Sequence, residues 1–361
     1  MNKNNTTMKK LFFLAVAAVV ALAACTKNEV ANPDPQEISF KAVAAKATKA
    51  IIDKNYYAPS DPPFGVWGLY QATNWTTNHS SSVWVGTDAS TEAQITYQTD
   101  TWKNAAGTDY WPLSGSIVFM GYSPYANVND KTAISVADNK ATLTITDFQS
   151  STGSYVDDLM WSDAVEKSKN DTNYDADGTN ATTYDGVPIV FHHALSQIVV
   201  KAKTAEDYAT KGYTLTITGI TMTIDDKATL TVADDLTADP TVTWSEPATD
   251  VEPIILANGT TALTTTYVAQ GNAILVIPQT LTAAQDILHV TYKLAHNGVE
   301  SSVTKDINLT AGATEPLTAF AANKKYNLNL LFTLDEIKYS PDVVDWDAEA
   351  TSEYDVPGDA S

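Results

Sequence analysis

Short runs in which apolar and polar residues alternate dominate this chain. "ATLTITDF", "YTLTITGITMTI", "ATLTVADD", "ILHVTYKLA" and "KYNLNLLFTL" put an apolar side chain at nearly every second position. That period of two predicts strands with one buried face. "GSIVFMGYSPY", "PIVFHHALSQIVVKAK", "NAILVIPQTL" and "SSVTKDINL" extend the series. Asp138-Asn139, Asp225-Asp226, Asn258-Gly259 and Asn297-Gly298 stand between or beside such runs as turn signals. No segment of ten or more residues has a convincing helical stripe; short helical turns are expected only around 157–168 and 204–210. Many short strands with this punctuation predict a mainly β protein of two antiparallel β-sandwiches.

An early alternating run, "ISFKA", places Ile38, Phe40 and Ala42 on one face, followed by a small, flexible stretch carrying Lys46 and Lys49. The polar, acidic segment 170–186 reads as a loop, and a long strand pattern starts directly after it, which puts a domain seam near residue 186. Six of the eight tryptophans precede that point. Upstream, Lys9 and Lys10 lead into an apolar run that ends in Leu22-Ala23-Ala24-Cys25. The run is too short for a spanning helix and reads as a signal peptide with a bacterial lipobox, so residues 1–25 form the signal and Cys25 the lipidated residue. Residues 26–49 then form a leader that includes the first strand. Residues 50–186 and 187–361 form the two sandwiches. Acyl chains at about 0.8 kcal/mol per buried CH₂ would hold such a precursor on the outer membrane.

Composition agrees with this picture and narrows the function. Of 361 residues, 44% are hydrophobic and only 18% charged, and the net charge is −21. All 22 basic residues are lysines, and no basic aromatic patch exists, so nucleic-acid partners are excluded. With Cys25 the single cysteine, no disulfide can staple the fold.

Candidate chemistry is sparse. His192 and His193 are adjacent in a strand pattern, so their side chains point to opposite faces and cannot chelate one ion together. "NYDADGTNATTY" places Asn173, Asp175 and Asp177 at the first, third and fifth positions of a calcium loop, but Tyr184 stands where the bidentate glutamate belongs. That leaves a weak calcium candidate and an Asx-rich turn as the alternatives. No nucleophile elbow, P-loop or dinucleotide fingerprint occurs. The sequence therefore points to no cofactor and no enzyme. Trp75 and Trp84, flanked by Thr, Asn and Ser, are candidate platforms for stacking a glycan.

In order along the chain, the lipobox, "ISFKA", "ATKA", "FGVWGLY", "YWPLSGSIVFMGYSPY", "DDLMW", "VPIVFHHALSQIVVKA", "ILVIPQTL" and "NKKYNLNLLFTLDEIKYSPDVVDW" resemble the fimbrillins, subunits of type V pili. The resemblance implies two sandwiches of transthyretin-like topology, export as a lipoprotein, and display at the cell surface. It also implies that a protease removes the leader with its first strand, and that a C-terminal strand from a neighbouring subunit fills the groove. On this chain Ile38, Phe40 and Ala42 would plug the groove, and Ile337, Tyr339, Val343, Val344 and Trp346 would supply the donor. The best-known protease of the family cuts after arginine, which this chain lacks, so Lys46 and Lys49 become the processing candidates. A cut after Lys49 takes the net charge from −21 to −25. The implied partners are other fimbrial subunits, together with a host or bacterial surface ligand. The expected role is a stalk subunit. The alternatives are a tip or anchor subunit of the same pilus, or an anchored glycan-binding lipoprotein.

Overall fold

The computed structural model describes residues 36–44, 55–126, 128–150, 158–169, 171, 186–245, 248–251, 253–282, 287–311 and 316–346. The expected alternation is realised in the burial of individual strands. Ser196–Thr204 and Ile224–Asp234 bury every second residue along their length. The turn signals also hold at two hairpins. Asp138 and Asn139 (φ 50° and 61°) join Thr132–Ala137 to Lys140–Gln149, and Asn297 and Gly298 (φ 53° and 81°) join Ile287–His296 to Val299–Asn308. Both central residues at positive φ are what a two-residue hairpin requires to follow the strand twist.

In the first half, seven strands close into a ring. Phe40–Ala44 pairs with Val187–His193, which leads through Met160–Ser162, Ser116–Ser123, Phe64–Gln71 and Ala93–Gln98 to Thr101–Asn104 and back to Phe40. Closure pairs each of the seven strands on both sides, but joins Phe40–Ala44 to Thr101–Asn104 by a single residue pair. Ser116–Ser123 is buried on both faces. Ile117 and Phe119 belong to the core inside the ring with Phe64 and Phe191, while Val118, Met120 and Tyr122 pack outward against Leu143, Ile145, Leu230 and Val232 of a second sheet. Farther along, a five-stranded sheet containing Ser196–Thr204 and Lys324–Phe332 faces a four-stranded sheet containing Tyr213–Met222 and Ile287–His296. Ile198, Val200, Leu328 and Leu330 meet Leu215, Ile217, Leu288 and Val290 between them.

Several local expectations yield to long-range pairing. Asp225-Asp226 is not a turn but lies within Ile224–Asp234, where the buried Asp226 carboxylate accepts a bond from Gln149 Nε2 at 2.7 Å. The stretch 157–168 holds two short strands, Met160–Ser162 and Val165–Lys167, because both pair with Ser116–Ser123. The helical turn expected around 204–210 is present at Tyr208–Lys211, and a further one occurs at Trp75–Asn78. Two pairings are parallel, Phe40–Ala44 with Val187–His193 and Ser196–Thr204 with Lys324–Phe332. Hydrogen bonding also crosses the expected seam at residue 186: Val187–His193 completes the ring, and Ile224–Asp234 pairs with Lys140–Gln149.

Candidate functional site

The first strand is the stave that closes the ring. Its sequence alternation becomes alternation of burial over residues 38–42, where Ile38, Phe40 and Ala42 are 2%, 1% and 2% exposed, and Val43 on the opposite face is buried as well. Phe40 meets Phe119 edge-on at 5.6 Å and Phe64 at 6.4 Å. Covering Ile38 and Phe40 contributes about 3–6 kcal/mol as an upper bound. The strand pairs at five positions with Val187–His193 but at one, Phe40 with Trp102, on its other side. There the flanks are tied separately. Ile38 N–H donates to the Asp109 carbonyl and Trp111 N–H to that of Gln36, while Val43 and Ala44 pair with Asn55–Tyr56. Between these ties a cavity of about 410 Å³ opens beside Ser39, Lys41, Tyr57, Tyr97, Asp100 and Trp102. Tyr57 closes over it, donating its hydroxyl to Ser123 Oγ at 2.8 Å, and burial pushes that hydroxyl's pKa upward. Lys103 bonds Glu37 at 2.9 Å, a half-exposed pair worth under about 1 kcal/mol.

Far along the chain, the tail strand Ile337–Asp345 lies at the edge of the five-stranded sheet, paired at nine positions with Lys324–Phe332. Tyr339 is buried and Ile337 half-buried, while Val343 and Val344 are 45% and 39% exposed. The Tyr339 hydroxyl is enclosed with no hydrogen-bond partner among the described residues, and burial raises its pKa. An enclosed hydroxyl without a partner is a cost, so Tyr339→Phe is expected to raise stability by about 1 kcal/mol. Urea unfolding measures this, and a loss of similar size would mean that the hydroxyl is bonded. Trp346 stacks on His193, ring centres 4.3 Å apart and planes 5° from parallel. The tail thus touches the strand that forms one wall of the first strand's slot, but it does not enter the slot.

A family model described as fimbrillin-like matches residues 63–346. The chain belongs to the fimbrillin-like family. Among solved structures it is similar to a fimbrial protein from Bacteroides vulgatus, at 18% identity and a TM-score of 0.56, covering 87% of this chain and 100% of that one. It is also similar to a candidate cell adhesion protein from Bacteroides uniformis, at 19% identity and a TM-score of 0.45, covering 86% and 98%. A search of curated proteins returns no match.

Within this fimbrillin-like chain the remaining sequence candidates separate clearly. Trp75 is no glycan platform. It is 1% exposed, packed in the core beneath the ring, with its backbone N–H bonded to Glu166. Its flanking Thr and Asn residues suggested exposure because they belong to a one-turn helix whose other side faces the core. Trp84 is half-buried, its ring 5.3 Å from Tyr70 and its Nε1 donating to the Tyr110 carbonyl at 2.8 Å. His192 bonds Asp163 at 3.0 Å and His193 lies 2.5 Å from Asp158, so the adjacent imidazoles serve separate carboxylates as alternation requires. Among the described residues no group of three or more His, Cys, Asp or Glu could hold a metal. Cys25, Lys46, Lys49, Asn173, Asp175 and Asp177 lie outside the described residues. Sequence reasoning missed Gly186. Its φ of +111° and its contact with the Phe40 backbone make it the seat of the first strand, and the Asp-Gly step before the strand pattern was the available signal.

Proposed function

We propose that this chain is a non-enzymatic stalk subunit of a surface fimbria, exported as a lipoprotein through Cys25 and polymerised by strand exchange. The observation that carries the reading is the first strand's place in the ring. A short N-terminal segment supplies one of seven staves and four buried side chains, Ile38, Phe40, Ala42 and Val43, and its removal would leave two unpaired edges and an empty apolar slot. Such a slot binds an extended strand by backbone pairing, with alternate side chains giving specificity. The tail strand is a suitable donor because its outer edge pairs with no described strand and its "IKY" repeats the apolar spacing of "ISF". Lys46 and Lys49 follow the first strand directly, where a cut would separate it from the mature chain. The partners are other subunits of the fimbria, with the outer membrane engaged only before processing.

The N-terminal residue of the protein recovered from the cell surface tests processing. Ala50 is expected for polymerised subunits, and Cys25 throughout would mean that the chain stays anchored. In vitro, a precursor cut after its first strand should form ladders on denaturing gels run without heating, and deletion of residues 335–361 should abolish them. A cut precursor that remains monomeric in the presence of the intact tail would overturn strand exchange.

A further inference from the structure

The seam where the ring is thinly closed also borders the cavity of about 410 Å³. Its origin is geometric. Beyond the single pair of Phe40 with Trp102, the first strand pairs with Asn55–Tyr56, whereas the hairpin of Ala93–Gln98 and Thr101–Asn104 runs on to its tip. Thr99 and Asp100 form that tip with φ of 48° and 68°. Two left-handed residues make a tight hairpin turn, and this one fixes Asp100 at the cavity's rim. A wedge opens between the diverging strands, and Tyr57 and Pro59 complete its wall.

The lining divides into two kinds of surface. Buried Trp102 is the centre of an aromatic cup: the rings of Tyr57 and Tyr97 lie 5.9 Å and 5.6 Å from it, each plane at 70° to the indole. Ser39 and Thr101 add hydroxyls that donate and accept, Lys41 a donor and Asp100 an acceptor. An apolar body with a few polar groups, in a volume of about 300–1,000 Å³, is the usual form of a small-molecule pocket. Each feature narrows the ligand. One ammonium and one carboxylate, on a chain of net charge −21, disfavour anions such as phosphates and carboxylates. A single carboxylate does not make a divalent-metal site. A hydrocarbon would strip water from four polar side chains and offer them no partner. A neutral sugar ring suits both surfaces, since its C–H face stacks on aromatic rings and its hydroxyls both donate and accept.

We propose that this cavity binds a neutral pyranose ring at the end of a glycan, stacked in the cup of Trp102, Tyr57 and Tyr97 and held at its edge by Lys41, Asp100 and the two hydroxyls. Ser39, Phe40, Lys41 and Ala42 of the wall all come from the leader, so the site exists only while the first strand is seated. A ligand that needs the seated strand also holds it there by mass action: sugar at tenfold its Kd strengthens retention of the leader about elevenfold. Glycan binding is thus a property of the precursor and is lost with the leader. The site stands on the cavity's geometry and does not depend on strand exchange.

The test titrates the uncut full chain with the methyl glycosides of glucose, galactose, mannose and N-acetylglucosamine, followed by saturation-transfer NMR and calorimetry. At least one is expected to bind with a Kd of about 1 mM, ordinary for so small a ligand. The matching disaccharide should bind at least as tightly, and weaker binding would overturn a glycan chain as the source. Tyr97→Ala should weaken binding at least about tenfold, and Tyr97→Phe should restore it. Asp100→Gly suits the φ of 68°, so it keeps the turn, and it should weaken binding about tenfold as well. Trp84→Ala, at a half-buried tryptophan outside the cavity, should leave binding unchanged. With a specific protease sequence in place of residues 46–51, native mass spectrometry after cutting should show leader release slowed about elevenfold by the same sugar at tenfold its Kd. Absence of binding by every neutral glycoside, tighter binding of galacturonate or trialanine, or dependence on Trp84 in place of Tyr97 would overturn the site. Leader release indifferent to the sugar would overturn the first strand as its wall. None of these outcomes bears on strand exchange, which the gel ladders test separately.

Discussion

Phe40→Ala is expected to destabilise the uncut chain by about 3–5 kcal/mol, the range for removing a fully buried phenylalanine. Phe40 is 1% exposed, and its ring meets Phe64 and Phe119 edge-on, so little can collapse into the space left behind. Urea unfolding of the precursor measures the loss. A second readout separates the plug from an ordinary core residue. Once the chain is cut after residue 45, the same free energy acts on retention of the leader, and Phe40→Ala should weaken that retention by roughly a hundredfold or more. A change below about 1 kcal/mol would mean that the first strand lies outside the cooperative unit.

Gly186→Ala should act on the same strand from the other side. Gly186 has φ +111°, and a Cβ there would lie 2.8 Å from the Phe40 carbonyl carbon and 3.0 Å from its nitrogen and oxygen. The backbone conformation alone costs about 1–3 kcal/mol for an L side chain. The contact adds to this only while the first strand is seated, because backbone cannot swing aside as a flexible side chain does. The substitution should therefore destabilise the uncut precursor more than a chain beginning at residue 50. Hydrogen exchange of the Val187–His193 amides, bonded to the first strand in the precursor, reports the difference. Equal destabilisation of both chains would mean that Gly186 serves its own turn and not the strand beside it.

Both substitutions bear on a groove whose parts are separated widely in sequence. One wall is Val187–His193, the other Thr101–Asn104, and the floor comes from Phe64–Gln71 and Ser116–Ser123. The structure does not bring the tail's Ile337 and Tyr339 into this groove; they remain on the five-stranded sheet. Only Trp346 reaches toward it, through His193. The proposed acceptor and the proposed donor thus lie in one chain without Ile337 or Tyr339 entering the groove.

By itself the amino-acid sequence determined what depends on near neighbours. A period of two dictates which side chains share a face, so Ile38, Phe40 and Ala42 were identifiable as a buried set, and Asn297-Gly298 as a hairpin turn. The opposite orientation of His192 and His193 followed from the same geometry. Tertiary structure alone decided which strand lies beside which. Alternation says that a strand needs a partner and is silent on whether that partner lies ten or a hundred residues away. Closure of the ring by a parallel pairing with Val187–His193, the gap at Trp102, and the pairing of Ile224–Asp234 with Lys140–Gln149 all come from the shared cores. Those cores also buried Trp75 despite its polar neighbours and drew 160–162 and 165–167 into strands. Burial of apolar area is non-directional and is won only when distant faces meet, and it outweighs the smaller preferences of single residues.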